Sequence, residues 1–144
     1  AQCLVGSEMC IRDRPIVIPE EQVSYKPDSA EFIDPDSALA TIQPVADFLL
    51  EHPEVNLLLY GTCAGESDSE YTLWLGKARA ESVKTALVEA GVNANRIVAV
   101  TVKAADDPYY QFGLGTGAEA GVNRKTVMID MSTELAQQIM SNAI

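Results

Sequence analysis

The sequence predicts an α/β sandwich of the α+β kind, with helices packed on one face of a four-stranded sheet. Three observations predict it. Apolar runs of strand length recur at Val55–Tyr60, Ile97–Val102 and Lys125–Met131. Longer segments with helical spacing and capping residues lie between or after them. Strands that alternate with helices need crossovers, and crossovers lay helices on a sheet face. The chain has 144 residues and 47% apolar content, enough for one domain with its own core.

Residues 1–14 read as an arm and 15–144 as a single domain. The run CLVGSEMCIRDR, residues 3–14, looks like translated sequencing adaptor. On that reading Cys3 and Cys10 carry no meaning and the natural chain continues upstream. The other reading is a short disordered arm. Arg12 and Arg14 follow the early apolar residues instead of preceding them, unlike a secretory signal.

From Pro15 onward there is no internal repeat and no low-complexity linker. Val23–Phe32 is expected to hold a broken extended stretch, with Lys26-Pro27-Asp28 as a turn or bulge. Asp34 is a good N-cap and Pro35 fits a first helical turn. Leu39, Ile42, Ala46 and Leu49 then give that helix a buried face, and Pro44 should kink it or weaken one turn. His52-Pro53 ends it, and Val55–Tyr60 reads as a central strand. Gly61–Asp68 is a loop of small and acidic residues. Ser67-x-x-Glu70 has the capping-box pattern and starts a second helix that runs to Ala90, with Gly91 as its C′ residue. Ile97–Val102 is a strand, 106–117 an irregular glycine-rich segment, and Lys125–Met131 a strand. Ser132 or Thr133 caps a short last helix with Leu135 and Ile139 on one face.

The net charge of −11 and pI of about 4.3 oppose binding to nucleic acid or to anionic membrane through a broad basic patch. No apolar run is long enough to cross a bilayer. Cys3, Cys10 and Cys63 match no zinc or redox spacing, and with one histidine they make no metal site. No cofactor is expected.

One residue breaks the pattern of the second helix. Leu75, Arg79, Val83 and Leu87 stack on one helical face, and Arg79 is a permanent cation among residues suited to a core. Either its stem lies along the apolar stripe with the charge in water, or it points into a cavity that holds an anion.

The strand Val55–Tyr60, Gly61, and Tyr71-Thr72-x-x-Leu75-Gly76-x-x-Arg79-Ala80-x-x-Val83 together resemble the OmpA-like C-terminal domain, also found in Pal lipoproteins and MotB-type flagellar stators. The family pattern is roughly G-H-T-D, ten or so residues, then Y-N-x-x-L-S-x-x-R-A-x-x-V. Gly91-Val92 with Arg96-Ile97, Asp107-Pro108 and Asn123-Arg124-Lys125-x-Val127 match further family positions in order. Ser29-Ala30-Glu31-Phe32 is similar to the family's S-A-x-L opening. The resemblance covers about residues 22–131.

This resemblance implies a mixed four-stranded sheet and non-covalent binding of peptidoglycan through the diaminopimelate of its stem peptide. It implies a place in the bacterial cell envelope, on the periplasmic or extracytoplasmic side and associated with the outer membrane. This domain itself would make no membrane contact, though missing upstream sequence could anchor it. In the family the arginine of the R-A motif holds the ligand carboxylate and the aspartate of G-H-T-D its ammonium. Arg79 matches the arginine, whose planar fork suits a carboxylate better than a lysine would. Gly61-Thr62-Cys63-Ala64 aligns on G-H-T-D, so the ammonium ligand is replaced by the uncharged Ala64. Thr72 stands for the family's asparagine and Gly76 for its serine. Glu66 and Asp68, in the same loop, are substitute anions if the loop folds inward; otherwise they are solvated and Asp68 helps the helix start. Arg124 serves either ligand contact or local structure. The candidate ligand-binding residues are therefore Arg79, Thr62, Cys63, Ala64, Thr72, Glu66, Asp68 and Arg124.

A catalytic reading competes. Gly61-Thr62-Cys63-Ala64-Gly65 has the spacing of a nucleophile elbow with cysteine for serine. Its base would be His52, which enters the strand that Cys63 leaves, roughly 15–20 Å away at about 3.3 Å per residue. Contact at hydrogen-bond distance is excluded on that reading, and the expectation is a non-enzyme. Gly113-x-Gly115-x-Gly117 follows no apolar strand and is not a dinucleotide fingerprint. The expected function is peptidoglycan binding; the alternative is the same fold serving as a protein-interaction or structural domain, with an envelope protein as partner.

Overall fold

The computed structural model describes residues 11, 15–20, 22–26, 29–63, 69–114 and 118–143, without the side chains of 118–120. A mixed four-stranded sheet forms from β1 (Ile16–Pro19), β2 (Leu57–Thr62), β3 (Ile97–Val100) and β4 (Lys125–Asp130) in the order β1-β4-β2-β3. β2 runs parallel to β3 and antiparallel to β4, and β1 pairs antiparallel with β4. Three helices pack on it: α1 (Pro35–Glu51), α2 (Glu70–Glu89) and α3 (Glu134–Asn142).

Period-two alternation in β2 sorts the core into two layers. Leu57 and Leu59 face α1 and α2, where they meet Ile42, Val45, Leu49, Val83 and Leu87. Leu58 and Tyr60 face the other way and meet Val127, Ile129 and the Ala136 and Ile139 side of α3. The expected sandwich is thus observed, with the terminal helix adding a smaller layer on the opposite face. Because β2 is buried along its whole length, shortening one of its leucines to alanine costs about 2–5 kcal/mol. Ile11, from the arm, also lies in the larger layer.

Each helix begins where a side-chain oxygen accepts from a first-turn amide. Asp34 Oδ1 accepts from Ser37 N at 3.2 Å, and Pro35 opens α1 as expected. Pro44 lies within α1 and leaves the helix continuous, although it has no N–H to offer the Ala40 carbonyl. Leu39 is 44% exposed, so the buried face is shifted to Ala38, Ile42, Val45, Ala46, Phe48 and Leu49. The N-cap of α2 is Ser69, not Ser67: Ser69 Oγ accepts from Thr72 N at 3.2 Å. At the other end Gly91 adopts φ 112°, and Gly91 N and Val92 N donate to Val88 O and Leu87 O. That double closure is the Schellman arrangement, and it needs a residue that tolerates positive φ. Thr133 caps α3.

The first strand departs from expectation. Val23–Phe32 supplies one antiparallel bridge, Tyr25 to Phe32, and the edge strand is Ile16–Pro19. Ile16 and Ile18 point inward while Val17 is 39% exposed. Proline is tolerated at the end of an edge strand, whereas Pro27 sits in the middle of the expected stretch. Arg96, from the Arg96-Ile97 motif, donates to the carbonyls of His52 and Val55 and ties the C-terminus of α1 to the start of β3.

Candidate functional site

The site is built where α2 crosses the end of β2. A Cβ on Gly61 would stand 2.6 Å from the Gly76 carbonyl oxygen, and one on Gly76 would stand 2.6 Å from that of Gly61. Paired glycines therefore let the helix backbone lie directly on the strand.

One turn further along α2, Arg79 is 7% exposed. Its Nε donates to the Ser29 carbonyl at 2.9 Å. Its guanidinium carbon lies 4.7 Å from the centroid of the Tyr25 ring, and Nη1 lies 4.0 Å from Cys63 Sγ. Tyr25 Oη donates to the Arg79 carbonyl at 3.2 Å, and Ser82 Oγ donates to the Ala30 carbonyl at 2.8 Å. Tyr25 and residues 29–32 are thereby held along α2 and cover the arginine. Burial pushes the Tyr25 phenol above its ordinary range, partly offset by the Thr126 hydroxyl and the Arg79 charge. Of the two readings of Arg79, exposure of its charge to water is set aside: the head group is enclosed. Among the described residues no carboxylate forms an ion pair with it.

Cys63 is half-buried, and its thiol donates to the Thr72 carbonyl at 3.8 Å. Arg79, Cys63 and Thr72 are thus brought together. A cavity of about 20 Å³ between Cys63, Thr72, Thr101 and Tyr110 has room for one water. Thr62 also lines that cavity, and its Oγ1 donates to the Asn123 carbonyl at 2.8 Å and accepts from Lys125 Nζ at 3.1 Å. Arg124 lies 3.5 Å from Glu20, beside β1. Ala64, Glu66 and Asp68 lie outside the described residues. His52 caps the C-terminus of α1, packs its ring at a tilt against Phe48 and lies 3.6 Å from Glu54, at the opposite end of β2 from Cys63.

A second cluster, behind Thr62, escapes sequence reading. Lys125 Nζ lies 2.6 Å from Asp107 Oδ2, with both side chains closed to solvent. Asp107 Oδ1 accepts from Tyr60 Oη at 2.8 Å and from Tyr109 N at 2.9 Å. Burial pushes Lys125 below the ordinary lysine range, with the Asp107 charge opposing that shift. Burial raises the Tyr60 phenol far above its ordinary range, reinforced by the same carboxylate. Asn123 Oδ1 accepts from Gln111 N and its Nδ2 donates to Gln111 O, each at 2.8 Å, so the closing Asn-Arg-Lys motif holds the 107–111 segment in place. Asp106-Asp107-Pro108 is the turn its composition suggests, and nothing local marks Asp107 as one half of a buried ion pair.

Among the described residues no group of three or more His, Cys, Asp or Glu is placed to hold a metal, and no helix is long and apolar enough to cross a membrane.

Comparison with known proteins agrees with this architecture. No curated protein matches the chain in sequence. The periplasmic domain of Helicobacter pylori MotB is similar in structure, with TM-score 0.62 at 15% identity over 88% of this chain and 88% of that one. The peptidoglycan-associated lipoprotein from Burkholderia pseudomallei gives TM-score 0.59 at 27% identity over 79% of this chain and 87% of that one. The cell wall anchor of the T6SS from Pseudomonas aeruginosa gives TM-score 0.60 at 19% identity, covering 81% and 80%. The family model of the OmpA family matches residues 24–121, about two thirds of the chain, and the chain belongs to that family.

Proposed function

We propose that this chain is a non-covalent peptidoglycan-binding module of the bacterial cell envelope, in which Arg79 receives a carboxylate of the stem peptide. The observation that supports it is the state of Arg79: 7% exposed, bordered by a carbonyl, a sulfur and an aromatic face, with no carboxylate paired to it among the described residues. A buried cation without an anion costs several kcal/mol, and an incoming carboxylate relieves that cost with a forked, charge-assisted contact. The similarity to a peptidoglycan-associated lipoprotein and a cell wall anchor supports the same ligand class. The domain works by binding alone, on the periplasmic side. Ala64 gives the ligand ammonium no partner, which leaves Glu66 and Asp68 as the anions of choice.

A second reading is a protein-interaction or structural domain that kept the fold and lost the wall. It is favoured by one observation: Ser29 and Tyr25 of the same chain already cover Arg79. Sedimentation with purified peptidoglycan separates the two. The parent chain is expected to pellet with the wall, and Arg79→Ala, folded by circular dichroism, to stay in solution. A parent chain that never pellets favours the second reading.

A further inference from the structure

We infer that Cys63 is an oxidant-sensitive modification site, whose oxidised, anionic form occupies Arg79 and closes it to a carboxylate; the consequence for binding rests on the wall-binding reading. Cys63 is half-buried, one residue past the end of β2. Its Sγ lies 4.0 Å from Arg79 Nη1 and 3.8 Å from the Thr72 carbonyl. The cavity of about 20 Å³ beside it gives room for an added oxygen.

Arg79 makes this sulfur more than a half-buried thiol. The guanidinium is 7% exposed, and its Nε has an oxygen acceptor in Ser29. Nη1 has only the sulfur, a weak acceptor, and Nη2 has no acceptor among the described residues. A buried cation thus presents an under-satisfied N–H edge to one thiol. The backbone fixes this pairing: Gly61 and Gly76, which touch, stand two residues before Cys63 and three before Arg79. The positive charge also favours negative charge on the sulfur, and the thiolate is the form that peroxides oxidise.

Hydrogen peroxide is the oxidant. The thiolate sulfur attacks one peroxide oxygen; an S–O bond forms, the O–O bond breaks and hydroxide leaves. Sulfur gives two electrons to the peroxide, and the product is the sulfenic acid. A second peroxide adds a second oxygen in the same way, releasing water and, on ionisation, a proton, to leave a sulfinate. A sulfinate spreads one negative charge over two oxygens on one atom, as a carboxylate does. An oxygen added on the Nη1 side narrows the 4.0 Å gap to hydrogen-bond length and makes the contact charge-assisted. A ligand carboxylate then meets an arginine already neutralised and an anion that repels it.

The full chain, Arg79→Leu and Cys63→Ser would be treated with mild hydrogen peroxide. Peptide masses locate the added oxygens among Cys63, the other two cysteines and the four methionines. Cys63→Ser reports what oxidation elsewhere does. The expected result is two oxygens on Cys63 and a urea midpoint that holds in the parent but falls in Arg79→Leu, where the sulfinate has no cation. The oxidised parent should also stop pelleting with peptidoglycan, beyond any change peroxide causes in Cys63→Ser. Should Arg79→Leu not fold, the uncharged Arg79→Gln serves the same comparison. A Cys63 that stays a thiol while methionines oxidise, a disulfide to another cysteine, or midpoints that fall equally in the parent and Arg79→Leu would overturn the site. An oxidised parent, sulfinate in place, that pellets like the untreated chain would overturn the closing of Arg79. An untreated parent that never pellets, with the midpoints still parted by Arg79, would keep the modification site and remove the wall-binding reading.

Discussion

Lys125 and Asp107 form an ion pair of 2.6 Å in which the two side chains are 1% and 0% exposed. Pairing compensates each charge for its lost hydration, so removing one partner strands the other. Lys125→Met and Asp107→Leu are each expected to lose about 3–5 kcal/mol of stability. The double variant should lose less than the sum of the singles, because neither charge is left behind. Urea denaturation of the four proteins measures this; additive losses would mean that the two groups do not depend on each other.

Tyr60 makes the same cluster sensitive to alkali. Its phenol holds its proton above the ordinary value of 10.0, chiefly through burial and then through Asp107. Below pH 10 folded and unfolded chains both keep the proton, and stability is complete. Above pH 10 the unfolded chain releases it first, so stability falls with pH by about 1.4 kcal/mol per unit for each such tyrosine. Tyr25 and Tyr109 act in the same direction. Lys125 acts oppositely, since the folded chain releases its proton first, but that gain ends near the ordinary 10.5. Stability should therefore fall above about pH 10.5. Tyr60→Phe should cost about 1 kcal/mol at pH 7 and show a shallower alkaline decline. Unfolding curves of both proteins at pH 7 and across pH 10–11.5 supply the comparison; parallel declines would show that Tyr60 is not responsible.

Gly61 and Gly76 set the distance between β2 and α2. A methyl group on Gly76 would meet the Gly61 carbonyl at 2.6 Å and Thr101 Oγ1 at 3.0 Å. The carbonyl belongs to a central strand paired on both sides and cannot turn away cheaply. Alanine is the better helix former by about 1 kcal/mol, so propensity alone predicts a more stable protein. The clash reverses the sign: Gly76→Ala is expected to lose about 1–3 kcal/mol, seen as a lower urea midpoint with an unchanged slope. A raised midpoint would mean that α2 shifts freely on β2.

Features carried by one residue and its chain neighbours were legible in the sequence. Asp34 and Gly91 mark helix ends because capping is a local act, and Arg79 stood out because helical spacing alone places it among Leu75, Val83 and Leu87. Ser67 and Ser69 offer the same hydroxyl two residues apart, and composition cannot choose between them; the first-turn geometry chose Ser69. Edge strand β1 was hidden by being four residues long and ending in proline. Asp107 and Lys125 are 18 residues apart, and Arg79 and Ser29 are 50 apart. Such partners are joined by topology: β4 lying beside β2 brings Lys125 to Thr62, and residues 29–32, held along α2, bring Ser29 to it.

Arg79 is the place where stability and binding should separate. Lysine keeps the charge but supplies a single ammonium, which cannot donate to Ser29, face Cys63 and present a fork to a carboxylate together. Arg79→Lys should weaken peptidoglycan binding by about 10-fold, one charge-assisted hydrogen bond's worth. Arg79→Met removes the charge while keeping most of the packing against Tyr25 and the Leu75–Val83 face. A buried charge costs several kcal/mol in lost hydration, and an apolar side chain of similar volume does not. If the guanidinium is there for a ligand, Arg79→Met should be at least as stable as the parent in urea and should fail to pellet with the wall. If it is there for the fold, the methionine variant should lose stability, because the Ser29 carbonyl and the face of Tyr25 then lose the cation that organises them.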